Sequence, residues 1–239
     1  VTSTAAGPAF EGKGIHSGMR AAPGAINSVK ISRVNGNIIL GMLDDGKAEN
    51  PRGLCGSGLI DAISELMKAR LLKKDGYLLT REEALRQNVN INLCEHLKSD
   101  DKDGNCFILS KENNIVITQK DIRNVQLAKG AIQAGCEILL KKAGIGLNDI
   151  NSIKIAGVFG KYIHVSQAMN FGLFPKYPEK LEIVGNAAGD GAAMALFEDG
   201  FIDEMEKQVK KVHHVELAGE KDFQKKFMNA MELKEWYYN

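Results

Sequence analysis

Ile153-Lys154-Ile155-Ala156-Gly157-Val158-Phe159-Gly160 and, further on, Ile183-Val184-Gly185-Asn186-Ala187-Ala188-Gly189-Asp190-Gly191-Ala192 decide how this chain is read. Each is a short β-like run that ends in a glycine cluster, and the second leads directly into a helix-like segment. Glycine lets backbone approach a ligand or another backbone closely, because no Cβ intervenes. A strand-to-helix turn aims free N–H groups at whatever lies before the helix, which suits an anionic ligand. Two such turns in succession point to a nucleotide cleft rather than to a plain core.

Around them the predicted order is strand (153–156), helix (165–171), strand (181–184), helix (187–197). That alternation argues for an α/β layer with parallel pairing. The longest predicted helix, 119–143, lies just before it. Thr118 and Asp121 open this helix, Ile122, Val125, Ala128, Ile132, Ile138 and Leu139 are among its apolar positions, and Gly144 and Gly146 stop it. Further back, residues 29–43 read as a hairpin about Asn35-Gly36, the strongest short turn signal. Gly56-Ser57-Gly58 leads into a helix striped by Ile60, Ile63, Met67 and Leu71. Thr80 with Glu83 reads as a capping box. Residues 98–104 read as a charged turn, and 107–109 and 115–117 as a second hairpin. Residues 1–28 read as ordered loops, and a last helix is expected near 221–231.

The 239 residues are 44% hydrophobic and 26% charged with a net charge of +1, which supports a sizeable core and gives no sign of a polyanion partner. Nucleic-acid binding is not expected. No apolar run reaches the length of a membrane span and no signal peptide is visible, so a cytoplasmic location is expected. Cys55, Cys94, Cys106 and Cys136 form no C-x-x-C pair and match no zinc or iron–sulfur spacing. His16, His96, His164, His213 and His214 form no H-E-x-x-H pattern, and 98–104 lacks the ligands of a calcium loop. No metal site is therefore expected in this chain. Val1 is not an initiator methionine, and the chain reads as part of a longer protein.

The segments Ser3 to Gly12, Gly18 to Ile26, Cys55-Gly56-Ser57-Gly58-Leu59-Ile60-Asp61, Ala156 to Gly160 and Gly185 to Ala193 occur in this order, with Val215 to Ala218 and Asp222 to Gln224 at the end. Together they resemble the C-terminal part of the reductive activators of corrinoid proteins, over almost the whole chain. The resemblance implies an α/β fold of the actin-like, RNase H-like ATPase type, a lobe with a mixed sheet and flanking helices. Residues 1–118 would be a hairpin-rich part and 119–239 the nucleotide-side part. It also implies a function that composition does not carry. Such proteins use ATP to help return an inactive Co(II) corrinoid protein to Co(I), with the electron arriving through an iron–sulfur cluster in another domain. ATP with magnesium would be the cofactor, a corrinoid protein the partner, and a homodimer the expected assembly.

The site residues follow from the same resemblance. Gly157, Val158, Phe159 and Gly160 match the adenosine-side loop, although the family usually carries a further glycine where this chain has Val158. Gly185 and Asn186 match a segment that joins the lobes at a helix start, with hinge and packing roles beside nucleotide contact. Gly7, Pro8 and Glu11 match the loop after the second phosphate motif, where Glu11 either orients water or a magnesium shell or makes a surface hydrogen bond. The acidic phosphate motifs themselves are absent from the sequence, so this stretch alone is not expected to hydrolyse ATP. Cys55 at a helix start reads as packing rather than as a nucleophile. His164 stands where relatives often carry a small polar or acidic residue, and the sequence offers no account of it. The alternative reading is a non-catalytic docking or dimerisation module with a vestigial nucleotide site.

Overall fold

The structure, a computed structural model, describes residues 1–43, 50–100, 104–157, 160 and 162–237. Strand β1 (Ala25–Ile31) pairs antiparallel with β2 (Ile38–Met42), with Ile31 opposite Ile38 about the expected Asn35-Gly36 turn. β1 starts earlier than the sequence pattern suggests, because Ala25 and Ile26 are fully buried and pair in parallel with β3 (Gly53–Leu54). The first sheet is thus mixed, in the order β2-β1-β3. Helix α1 (Gly56–Lys68) follows and lies across β1. Leu71, read as part of its stripe, is buried just past its end.

Helix α2 (Arg81–Arg86) carries the expected capping box, in which the Glu83 N–H donates to Thr80 Oγ1 at 3.2 Å and the Thr80 N–H to Glu83 Oε2 at 2.9 Å. A short α3 (Ile91–Cys94) leads to β4 (Leu97–Asp100), which pairs antiparallel with β5 (Gly104–Ser110), and β5 with β6 (Ile115–Thr118). The second hairpin is as read. The charged segment before it is not simply a turn, because its first residues form β4, and 101–103 lie outside the described residues.

Helix α4 (Gln119–Ala143) has the bounds that its caps dictate. The Asp121 N–H donates to Thr118 Oγ1 at 3.1 Å, the Thr118 N–H to Asp121 Oδ2 at 2.9 Å, and Gly144 closes the other end in the left-handed conformation. Then come β7 (Ile153–Ala156), α5 (Val165–Asn170), β8 (Leu181–Gly185), α6 (Ala187–Phe197), α7 (Phe201–Val209) and α8 (Phe223–Ala230). β7 and β8 are parallel, as the alternation of elements predicts. The sequence reading passed over α7 as a run of mixed charge.

One apolar core draws on both halves of the chain. Ile26, Leu59, Ile63 and Phe107 are fully buried together with Val125, Phe171 and Leu233. Its effect on the site is to fix α1 and α4 as a rigid floor. At Gly58 a Cβ would stand 2.1 Å from the carbonyl oxygen of Ile26, so α1 and β1 meet backbone to backbone and only glycine fits. Cys55 at the start of α1 is buried, with its Sγ 3.3 Å from that same oxygen and 3.3 Å from Ser57 Oγ, so the packing role expected of it agrees with its geometry.

Candidate functional site

The parallel pairing of β7 with β8 brings two of the predicted glycines into contact at the C-terminal ends of the strands. The Gly157 N–H donates to the Gly185 carbonyl oxygen at 2.7 Å. In open parallel sheets ligands sit in the crevice just beyond these ends, and that is where both glycines lie. Gly157 has φ +100° and Gly185 φ +68°, conformations that a side chain strains. A Cβ built at either would meet none of the described residues within 4 Å, so among these the space in front of both is open. Gly160 is different. It follows the turn, its N–H donating to the Gly157 oxygen at 3.1 Å, and a Cβ there would meet Ile155 at 3.0 Å. Val158 and Phe159, the middle of the expected adenosine loop, lie outside the described residues.

Asn186 immediately follows Gly185 and caps α6, its side chain accepting the Gly189 N–H at 3.3 Å. The first N–H groups of α6 therefore start beside the two strand ends. The remaining predicted residues are held by other elements. Gly7 has φ +67°, Pro8 precedes the short 3-10 turn Ala9–Glu11, and that turn packs on α1 and α4. Glu11 is exposed there. The structure thus unites Gly157, Gly160, Gly185 and Asn186, while Gly7, Pro8 and Glu11 form a separate turn.

The sequence reading missed what lies behind the glycine turn, a polar seam between α1 and α5. Asp61 is 2% exposed, accepts the Val29 N–H on Oδ2 at 3.2 Å, and holds His164 Nδ1 at 2.8 Å. One turn on, Ser64 Oγ donates to Gln167 Oε1 at 2.7 Å and Asn170 Nδ2 to Ser64 Oγ at 3.0 Å. Glu65 accepts the Ile31 N–H at 2.9 Å, Gln167 Nε2 at 3.0 Å and Lys68 Nζ at 2.8 Å. Lys68 also reaches Gln167 Oε1 at 2.6 Å. Burial raises the Asp61 pKa against the lowering effect of His164 and the Val29 N–H. For Glu65 burial works upward too, but the Ile31 N–H, Lys68 and Gln167 outweigh it and hold the carboxyl below its ordinary range. The signal was present in the sequence. Asp61, Ser64 and Glu65 recur at helical spacing on a largely apolar helix, which marks a second buried face.

A separate apolar cleft of about 430 Å³ lies between α4 and β7, lined among others by Ile132, Leu139, Ile153, Phe174 and Trp236. None of the united site residues lines it, so it is a different feature from the strand-end crevice.

A family profile described as the C-terminal domain of RACo, the ASKHA domain, matches residues 1–238. This chain belongs to that family. The ASKHA domain is an actin-like fold, in agreement with the mixed α/β architecture described above. Among curated proteins, the chain is 38% identical over 240 residues to the corrinoid activation enzyme RamQ of Eubacterium limosum, covering 95% of this chain and 38% of that protein. It is 27% identical over 253 residues to the [Co(II) methylated amine-specific corrinoid protein] reductase of Methanosarcina barkeri, covering 98% and 42%. A solved structure named reductive activator for corrinoid, iron–sulfur protein superposes with a TM-score of 0.84 at 34% identity, over 98% of this chain and 36% of that one. This ASKHA domain therefore spans roughly two fifths of the length of its curated relatives.

Proposed function

We propose that this ASKHA domain is the C-terminal ATPase portion of a reductive activator that returns a Co(II) corrinoid protein to Co(I). The observation that carries the reading is the Gly157–Gly185 hydrogen bond of 2.7 Å, with open space before both glycines at the C-terminal ends of parallel strands. Gly157, Gly160, Gly185 and the capped start of α6 at Asn186 would form the adenosine side of the cleft. No side chain at Gly157 or Gly185 intrudes on a ligand there, and the start of α6 would favour its negative charge. ATP, when bound, supplies the free energy that favours one state of the activator–corrinoid pair. This chain's residues shape the cavity and hold the ligand. Gly7, Pro8 and Glu11 belong to the phosphate side in this reading, with Glu11 ordering water or magnesium.

The relatives' printed names support a corrinoid protein as partner and a reduction as the outcome. The reading places the iron–sulfur cluster in another domain, as the resemblance to the activators implies. A cytoplasmic, homodimeric protein is part of the same proposal. Coupling requires the nucleotide to bind the two states with different affinity. The test is reduction of the Co(II) corrinoid by the full-length protein, followed by corrinoid absorbance with and without magnesium ATP. Nucleotide-dependent formation of Co(I) is expected, and reduction with no nucleotide requirement refutes the reading.

The docking alternative rests on a specific feature. α6 buries none of its residues, and Leu196, Phe197 and Ile202 are 82%, 86% and 57% exposed. A contiguous apolar face of this kind marks an interaction surface.

A further inference from the structure

The β7–α5 connection is joined to the floor of the molecule by one chain of hydrogen bonds. At one end the Gly157 N–H donates to Gly185, the Gly160 N–H to the Gly157 oxygen, and the Ile163 N–H to the Gly160 oxygen at 3.3 Å. The next residue, His164, is the N-cap of α5, yet its side chain makes no capping bond to its own helix. It turns back to Asp61 instead.

The two partners are unequal. Asp61 is a fixed post, 2% exposed, on a helix that touches β1 backbone to backbone, and held by the Val29 N–H. His164 is 52% exposed at its side chain and belongs to a six-residue helix too short to persist without tertiary contacts. The imidazole is therefore the tether and the carboxylate its anchor. Oδ1 of Asp61 is buried without a hydrogen-bond partner, so loss of His164 leaves a buried carboxylate with little beyond one backbone N–H to compensate it. The charged side chains nearest the pair along the seam are Glu65 and Lys68, which are bonded to each other and to Gln167. They bind α5 one turn further on, away from the glycine turn. His164 is thus the seam residue closest to Gly157 and Gly160.

We propose that His164 and Asp61 are a positioning pair that sets where the β7–α5 turn presents Gly157 and Gly160 to the crevice. The pair holds the turn whatever the ligand. Its consequence for nucleotide affinity rests on the function proposed above.

Two measurements on the full-length protein separate these claims. The first is hydrogen exchange of the Gly160 and Ile163 amides without nucleotide. His164→Ala is expected to speed it about tenfold, the effect of losing one partly exposed hydrogen bond. Asp61→Ala is expected to act similarly, and the double variant to exchange no faster than the faster single one, because both remove the same bond. Unchanged exchange in His164→Ala overturns the proposal even if Asp61→Ala fails to fold. Strictly additive effects overturn it as well, since two independent structural roles would add. The second measurement is the Kd for magnesium ATP. A weakening in His164→Ala that parallels faster exchange supports both the pair and the nucleotide site. Faster exchange in a protein that binds no ATP even as wild type supports the pair and refutes the proposed function.

Discussion

Lys129 Nζ on α4 donates to the carbonyl oxygen of Ala230 at the end of α8 across 2.6 Å, and to that of Glu232 across 2.7 Å. The side chain is 1% exposed, so the cation satisfies the last carbonyl of α8 and one just beyond the helix from inside the protein. Burial, with help from Lys234, lowers its pKa from 10.5 to about 8. Between these two values the unfolded chain keeps a proton that the folded chain releases. Lys129 therefore makes stability rise with pH there, by at most about 1.4 kcal/mol per unit. The stability advantage of the wild type over Lys129→Met should widen from pH 8 to pH 10 in urea titrations. A difference that stays constant over this window refutes the assignment.

Glu65 has the opposite sign. Its carboxyl is 8% exposed and titrates below the ordinary 4.5, so the stability it contributes is present above that value and is lost as pH falls through its folded pKa. Glu65→Gln should cost about 1–3 kcal/mol at pH 7, the range for a hydrogen bond to a charged group. The cost should shrink in acid, which urea unfolding at pH 7 and pH 3.5 would reveal.

Two glycine substitutions should separate packing from ligand space. Gly58→Ala forces a Cβ to within 2.1 Å of the Ile26 oxygen, and overpacking of this kind costs about 1–3 kcal/mol or more. Gly185→Ala meets no neighbour within 4 Å but is strained by φ +68°, for about 1–2 kcal/mol. Under the proposed function Gly185→Ala weakens ATP binding directly, whereas Gly58→Ala lowers the melting temperature and reaches the nucleotide only through displacement of α1 and Asp61. Calorimetric melting and equilibrium binding read the two effects independently.

Phe197→Ser should leave thermal stability within about 0.5 kcal/mol, because the ring is 86% exposed and its loss opens no cavity. If the α6–α7 face docks the corrinoid protein or a second copy, the same change lowers that affinity. Sedimentation of the full-length protein with and without its corrinoid partner measures it.

The parts of the fold legible in the sequence are those where local chemistry acts alone. α4 could be bounded because Thr118, Asp121 and Gly144 cap it at both ends, and the first hairpin because Asn35-Gly36 fixes its turn. β4 was missed because its charged residues gain strand character only by pairing with β5, a tertiary effect. α7 was missed although Ile202, Met205 and Val209 follow helical spacing, because the charged residues between them read as surface. At the site, Gly157 and Gly185 were readable as turn glycines, and the pairing of their backbones needed only parallel strands. The pairing of His164 with Asp61 was not readable, since the partners stand 103 residues apart and only the fold brings α5 onto the buried polar face of α1.

α6 has 11 residues, with Gly189 and Gly191 in its first half and none of its residues buried. A helix of that length has little tendency to hold itself together in water. If the α6–α7 face docks a partner, as the alternative reading holds, contact over Leu196 and Phe197 would bind and tighten the helix in a single event. Such an event has a calorimetric signature, a heat-capacity drop larger than the contact area alone predicts. In solutions lacking that companion, this corner of the molecule should be the first to take up a fluorescent apolar dye.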